Sequence, residues 1–221
     1  GMGPRSTAPF VDLVVRECQI QYGATHDIDF PPMMIYSLPT PFYIDRPIHH
    51  STMRATIFGG LRQLESIGVD FIAMPCNAAH VYLEQLTEGI SVPLINMISV
   101  TVAELPKRVT RVALLAARPT VEAGLYQAEL SRIGVDSYVP QSLQQEVDQL
   151  LIAIKRFADA GSLKDATSAL AKGLTAAGVD AAILASTDLA VVSSDLSGEA
   201  FATVDSSRAL ARAVVRRWRA S

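Results

Sequence analysis

Cys76 and His80 stand four residues apart, directly after a short apolar run bounded by Asp70 and Pro75. Such a run reads as a buried parallel strand, which delivers the thiol to the strand's carboxyl end, where ligands bind in open α/β sheets. A helix beginning near Ala78 and running to Leu86 would put the positive end of its dipole beside Cys76 and favour the thiolate. His80 would fall one turn on, on the same face. Cysteine, helix start and histidine together describe a candidate acid/base site. The same residues also fit a structural cysteine packed beside a satisfied histidine. A second stretch echoes the first. Gly68-Val69-Asp70 opens the strand before Cys76, and Gly178-Val179-Asp180 opens another before Ser186, with the same eight-residue offset from glycine to polar residue. Two equivalent strand ends suggest two similar half-molecules with a cleft between them.

The elements that must position these groups alternate between strand and helix. Thr7 to Gln21 carries apolar residues at helical spacing, with Cys18 on its core face. After Pro31-Pro32, Met33 to Tyr36 reads as a short strand and Ser37 to Arg46 as the loop at its end. His50 to Ile67 reads as a helix, Pro93 to Ile95 as a strand, and the following helix runs to about Lys107. Arg111 to Ala116 is a strand, Thr120 caps or precedes a helix to Ile133, and Asp136 to Val139 is a strand. Helices at Leu143 to Ala158 and Leu163 to Ala177 are separated at Gly161. The Ser186 strand, a Phe201 to Val204 strand and a helix from Ser206 to Trp218 close the chain. This pattern predicts an α/β fold with parallel sheets in two domains, residues 1–98 and 99–205, with the helix at 206–221 packing on the first.

The 221 residues are 49% hydrophobic, enough for one large core or two modest ones. A net charge of -3 argues against nucleic-acid and membrane-surface binding. No run approaches a membrane span, and no signal peptide is visible, so a cytoplasmic setting is the expectation. Cys18 and Cys76 form neither a disulfide framework nor a zinc spacing, and His49 and His50 add no metal pattern. The arginines at 208, 212, 216, 217 and 219 read as a solvated helix face.

An ordered set of short motifs resembles the aspartate/glutamate racemase family, its aspartate racemase branch in particular. The set comprises Gly1-Met2-Gly3-Pro4 with Thr7, Asp45-Arg46, Cys76-Asn77-Ala78-Ala79-His80, Thr120 to Tyr126, and Ala185-Ser186-Thr187-Asp188. The resemblance implies two Rossmann-like domains related by a pseudo-two-fold, an active site in the cleft between them, no cofactor, no metal, and commonly a homodimer. It also implies a small amino-acid or carboxylate substrate. One cysteine takes the α-proton and the other returns one to the opposite face. By resemblance Cys76 is one of the pair, supported by His80. Asn77, Thr120 and the Thr187 region bind the substrate carboxylate, Arg46 pairs with a second carboxylate, and Thr7 and Lys155 line the site.

Four departures from the family pattern shape the expectation. Ser186 stands where the second cysteine would be, and a hydroxyl is a far weaker acid than a thiol. Ala78 replaces a threonine, Asp188 replaces a glutamate, and the sequence begins at Gly1-Met2-Gly3-Pro4 without the apolar strand that precedes this motif in the family, which fits a fragment, a start assigned late or a protein that lacks the strand. The leading expectation is a racemase or epimerase acting on an aspartate- or glutamate-type amino acid, with Cys76 as the working thiol and Ser186 or Thr187 relaying the other proton. Two alternatives stand beside it. One is a single-cysteine decarboxylase or cis-trans isomerase of a small diacid, and the other is a catalytically weakened homologue that binds a carboxylate.

Overall fold

The computed structural model describes residues 1–42, 47–196 and 200–220. Its chain divides into two compact units, Gly1–Met97 with Leu210–Ser221, and Ile98–Ala209. Both are α/β with parallel strand pairing.

In the first unit, helix α1 (Pro4–Tyr22) starts where Gly3, at φ +82°, lets the chain turn into Pro4, whose fixed φ suits a first helical position. Gly23, left-handed at φ +76°, ends it. The buried face of α1, Val14 and Cys18, packs against Ala211, Val214 and Val215 of α10 (Ser206–Arg219). Glu17, 1% exposed, meets Arg212 Nε at 3.3 Å, so the basic helix is anchored as well as solvated. Helix α2 (His50–Ser66) turns Met53, Ile57 and Leu61 onto Ile72, Met74, Ala79, Tyr82 and Leu86. Strand β1 (Ile72–Ala73) pairs parallel with β2 (Leu94–Ile95).

Met33 to Tyr36 forms no strand. Among the described residues the nearest pairing is a single parallel bridge between Met2 and Leu38, and Met34 and Ile35 stand 56% and 55% exposed. Pro31 and Pro32 restrict the approach to this segment, and no described strand runs alongside Met33 to Ile35 to take up its hydrogen bonds.

The second unit holds a four-stranded parallel sheet in the order β4-β3-β5-β6: β3 is Arg111–Ala116, β4 Asp136–Tyr138, β5 Ala181–Ala185 and β6 Ala202–Asp205. The two central strands are buried on both faces, which is why they read as unbroken apolar runs. Ala113, Leu115, Ala182 and Leu184 face α7 (Gln141–Lys155) and α8 (Ala160–Ala176). Val112, Leu114, Ala181 and Ile183 alternate to the other face, beneath α4 (Met97–Val102) and α6 (Leu125–Arg132).

Three boundaries differ from expectation. Helix α4 ends at Val102 rather than near Lys107, and Pro106 is incompatible with a helix interior there. The helix expected to run on to Ile133 is two, α5 (Arg118–Glu122) and α6, broken by left-handed Gly124. Gly161 lies inside α8, and the break falls before it, where Phe157 takes φ +57° and Asp159 caps α8 by accepting from the Ser162 amide.

Candidate functional site

At the first strand end, Cys76 is a partly buried thiol, in no disulfide, three residues beyond β1. Its amide donates to the Met74 carbonyl at 2.8 Å, a γ-turn centred on Pro75. Residues Ala78–Tyr82 then form a 3-10 turn that leads into α3 (Leu83–Glu88), in place of the single helix expected over Ala78 to Leu86. Asn77, 4% exposed, supplies the carbonyl that accepts the His80 amide at 3.1 Å.

His80 is 2% exposed and both its ring nitrogens are engaged by backbone. Nδ1 lies 2.9 Å from the Cys76 carbonyl, which only accepts, and Nε2 lies 3.0 Å from the Met97 amide, which only donates. The ring is therefore the neutral Nδ1–H tautomer, and burial holds its pKa below the ordinary histidine value against the opposing pull of the Cys76 and Ile95 backbone. It braces the turn and has no nitrogen left for the thiol.

Thr7 lies inside α1. Its hydroxyl donates to the Gly3 carbonyl at 2.7 Å and reaches Ser37 Oγ at 3.2 Å, fastening the Gly1–Gly3 segment to the segment that ends at Leu38. Arg46, with Asp45, lies outside the described residues. The structure adds a pair that sequence spacing does not reveal, because its members come from α2 and the 3-10 turn: His50 Nδ1 and Tyr82 Oη are 2.8 Å apart. Burial pushes the Tyr82 phenol up, Arg54 opposes this, and charge on Cys76 adds to it.

At the second strand end, Ser186 follows β5 with extended backbone, and Thr187–Val192 forms a 3-10 turn before the short α9 (Ser193–Leu196). Asp188 Oδ2 meets Lys155 Nζ, from the last turn of α7, at 2.6 Å, with side-chain exposures of 19% and 27%. Ala185 is in register with Ala116 of β3. There Gln144 Nε2 donates to the Ala116 carbonyl at 3.0 Å and to Asp148 Oδ1 at 2.8 Å, while Asp148 Oδ2 holds Arg118 Nη2 at 2.6 Å. Thr120, 2% exposed, lies within α5 rather than capping a helix. At the end of β6, burial raises the Asp205 carboxyl, opposed by the Arg208 and Ser207 amides. Gln144, Asp148 and Arg118 have no motif to announce them, since they meet only through the β3 strand end.

The structure thus brings Cys76, Asn77, Ala78 and His80 onto one turn, and Ser186, Thr187 and Asp188 onto another, where Lys155 of α7 reaches Asp188. Among the described residues no three His, Cys, Asp or Glu side chains converge as a metal site, and no helix is long and apolar enough to cross a membrane.

A family model described as Asp/Glu/hydantoin racemase matches residues 1–214. The chain is 47% identical over 156 residues to the broad-specificity amino-acid racemase RacX of Bacillus subtilis, covering 71% of this chain and 69% of that protein. Among solved structures it superposes on an aspartate racemase from Picrophilus torridus with TM-score 0.80 and 27% identity, covering 98% of this chain and 90% of that one. An aspartate racemase homologue from Pyrococcus horikoshii shares the fold at TM-score 0.74 and 19% identity, over 98% and 96% of the two chains.

Proposed function

The chain belongs to the Asp/Glu/hydantoin racemase family, and from that premise we propose that it moves the α-proton of a small amino acid with the Cys76 thiolate, without a cofactor. The observation that carries this reading is a partly buried, reduced thiol held at a strand's carboxyl end on a turn pinned by a γ-turn and by His80. Thiolate sulfur accepts the α-proton, donors at the strand ends take up the charge that develops on the substrate carboxylate, and Ser186 or Thr187 relays a proton on the opposite face. The RacX relative is named for broad specificity, and the proposal accordingly covers small amino acids generally, with aspartate and glutamate admitted where Arg46 pairs with the second carboxylate. Assembly as a homodimer and a cytoplasmic setting belong to the same proposal.

Proton NMR in D2O with each enantiomer of alanine, aspartate and glutamate tests it. Loss of the α-proton signal that disappears in Cys76→Ala is the expected result, and no exchange with any of the six removes the amino-acid reading. One observation favours a second reading, single-thiol decarboxylation or cis-trans isomerisation of a small diacid: the hydroxyl at Ser186 leaves only one thiol at the two strand ends. Malonate-type and maleate-type acids in the same assay separate the two.

A further inference from the structure

We propose that the surface cavity between α8 and α9 is a binding site for an acidic amino acid, separate from the two strand ends. The cavity lies wholly within the second unit. Its volume is about 520 Å³, within the range of about 300–1,000 Å³ usual for small-molecule sites. Lys164, Ser168, Ala171, Lys172 and Thr175 line it from α8, and Asp195 lines it from α9.

The spacing along α8 explains why this set is presented together. Thr167, Leu170 and Leu174 form the buried stripe, and the two leucines pack in one cluster with Val192 and Leu196, from the turn and the short helix after β5. Lys164, Ser168 and Lys172, at i, i+4 and i+8, fall on a second row that solvent reaches. The rise of the helix separates the two lysines by about 12 Å along its axis. Their long, flexible side chains can converge over Ser168. The packing that buries the first stripe sets α9, and Asp195 with it, beside the second.

The charges on this cavity are not spent on one another. Among the described residues the side chains of Lys164, Lys172 and Asp195 enter no ion pair and no hydrogen bond, whereas Arg111, Arg118, Arg132 and Lys155 of the same unit each meet a carboxylate. Two ammonium groups and one carboxylate are complemented by the inverse set, two carboxylates and one ammonium, which is the charge pattern of an aspartate- or glutamate-type amino acid. A phosphate would satisfy the lysines but meet Asp195 as a like charge. The Ser168 hydroxyl adds a group able to donate to a carboxylate. Exposed pairs are individually weak and screened by salt, so binding is of modest affinity and rests on all three charges together.

Amide NMR of isotope-labelled protein, titrated with L-glutamate, glutarate and inorganic phosphate, tests the site in the full chain, because it tells a ligand on α8 and α9 apart from one at the Cys76 or Ser186 turn. Saturable shifts of Ser168, Lys172, Thr175 and Asp195 with glutamate are expected, and they persist in Cys76→Ala. Lys164→Gln and Lys172→Gln are each expected to weaken that binding by about two- to fivefold, and less so in high salt. Asp195→Asn carries the distinguishing sign: glutamate outbinds glutarate in the unmodified chain, and the order reverses in the variant, a change that loss of fold would not produce.

Absence of saturable shifts at these residues with glutamate overturns the proposal, as does a glutamate-to-glutarate order that Asp195→Asn leaves unchanged. Phosphate binding on α8 as tightly as glutamate overturns it too, since the lysines would then be a general anion surface. Shifts confined to the Cys76 and Ser186 turns remove the second site and leave the proposed function standing. Shifts confined to α8 and α9 uphold the second site and count against the amino-acid reading of the strand ends.

Discussion

The turns after β1 and after β5 share a plan and differ in what they hold. Each follows a left-handed glycine, Gly68 or Gly178, eight residues before the polar residue, and each passes from strand through a 3-10 turn into a short helix. At the first, the polar residue is a thiol and the turn is tied down by a buried histidine. At the second it is a hydroxyl, Ala190 stands at the offset of His80, and a surface-reaching ion pair takes the place of the brace. The backbone plan thus places a side chain, and the chemistry is decided separately by which side chain it is. Under the proposed function the first end would hold a negative charge on sulfur and the second would pass a proton without holding charge.

The sharpest way to break the contrast is to make the first end resemble the second. Cys76→Ser leaves both ends with hydroxyls and is expected to lower Cys76-dependent α-proton exchange by about 10²–10⁴-fold, read by NMR in D2O with fold integrity checked by circular dichroism. The reverse change, Ser186→Cys, gives both ends a thiol. It is expected to raise true inversion relative to one-face exchange by about tenfold or more, measured by chiral chromatography of the same samples. An unchanged ratio would falsify the assignment of Ser186 to the opposite face.

His80 tests the bracing half of the comparison. His80→Leu removes the bonds to the Cys76 carbonyl and the Met97 amide and is expected to cost about 2–4 kcal/mol in urea unfolding. The pH dependence has a definite sign. Burial depresses the folded pKa below the ordinary histidine value, so as the pH falls the unfolded chain binds the proton first. Stability is full above about pH 6.5 and declines as the pH falls below it. That decline is expected to weaken in His80→Leu, by comparison of unfolding midpoints at neutral and mildly acidic pH.

The smallest effect concerns the start of β5, the end of that strand away from Ser186. Asp180 accepts from the Thr110 amide and hydroxyl and the Arg111 amide at 2.7–3.0 Å, which lowers its pKa. Its contribution is present above the ordinary aspartate range and lost as the pH falls through the folded value. Asp180→Asn is expected to lower the melting temperature modestly without changing exchange rates.

How much of this is legible in the sequence depends on whether the cause is local. β3 and β5 are readable because a strand buried on both faces must be apolar throughout, and the bounds of β3 coincide with the apolar run Arg111 to Ala116. Met33 to Tyr36 has the same look and is not a strand, because strand formation needs a partner that composition does not report. Gly124 marks the break between α5 and α6 in plain view, whereas Gly161 is an interior glycine of α8, and only the backbone angle tells the two apart. Cys76 and Ser186 are visible through their matching distance from glycine. The role of His80 is not, since it depends on Met97, brought near by the β1–β2 pairing. Lys155 and Asp188 are each visible as single residues, but their contact lies between α7 and the turn after β5.

The γ-turn at Pro75 has a consequence for how this site can be altered. With the Cys76 amide already donating to Met74 and its carbonyl already accepting from His80, both polar groups of the cysteine's own backbone are committed within the protein. A substrate approaching this residue therefore finds its amide already taken and its carbonyl already engaged by His80. Exchanging the side chain resets the reactivity of the position and leaves its location unchanged, while an insertion or deletion between Met74 and His80 removes the mounting altogether.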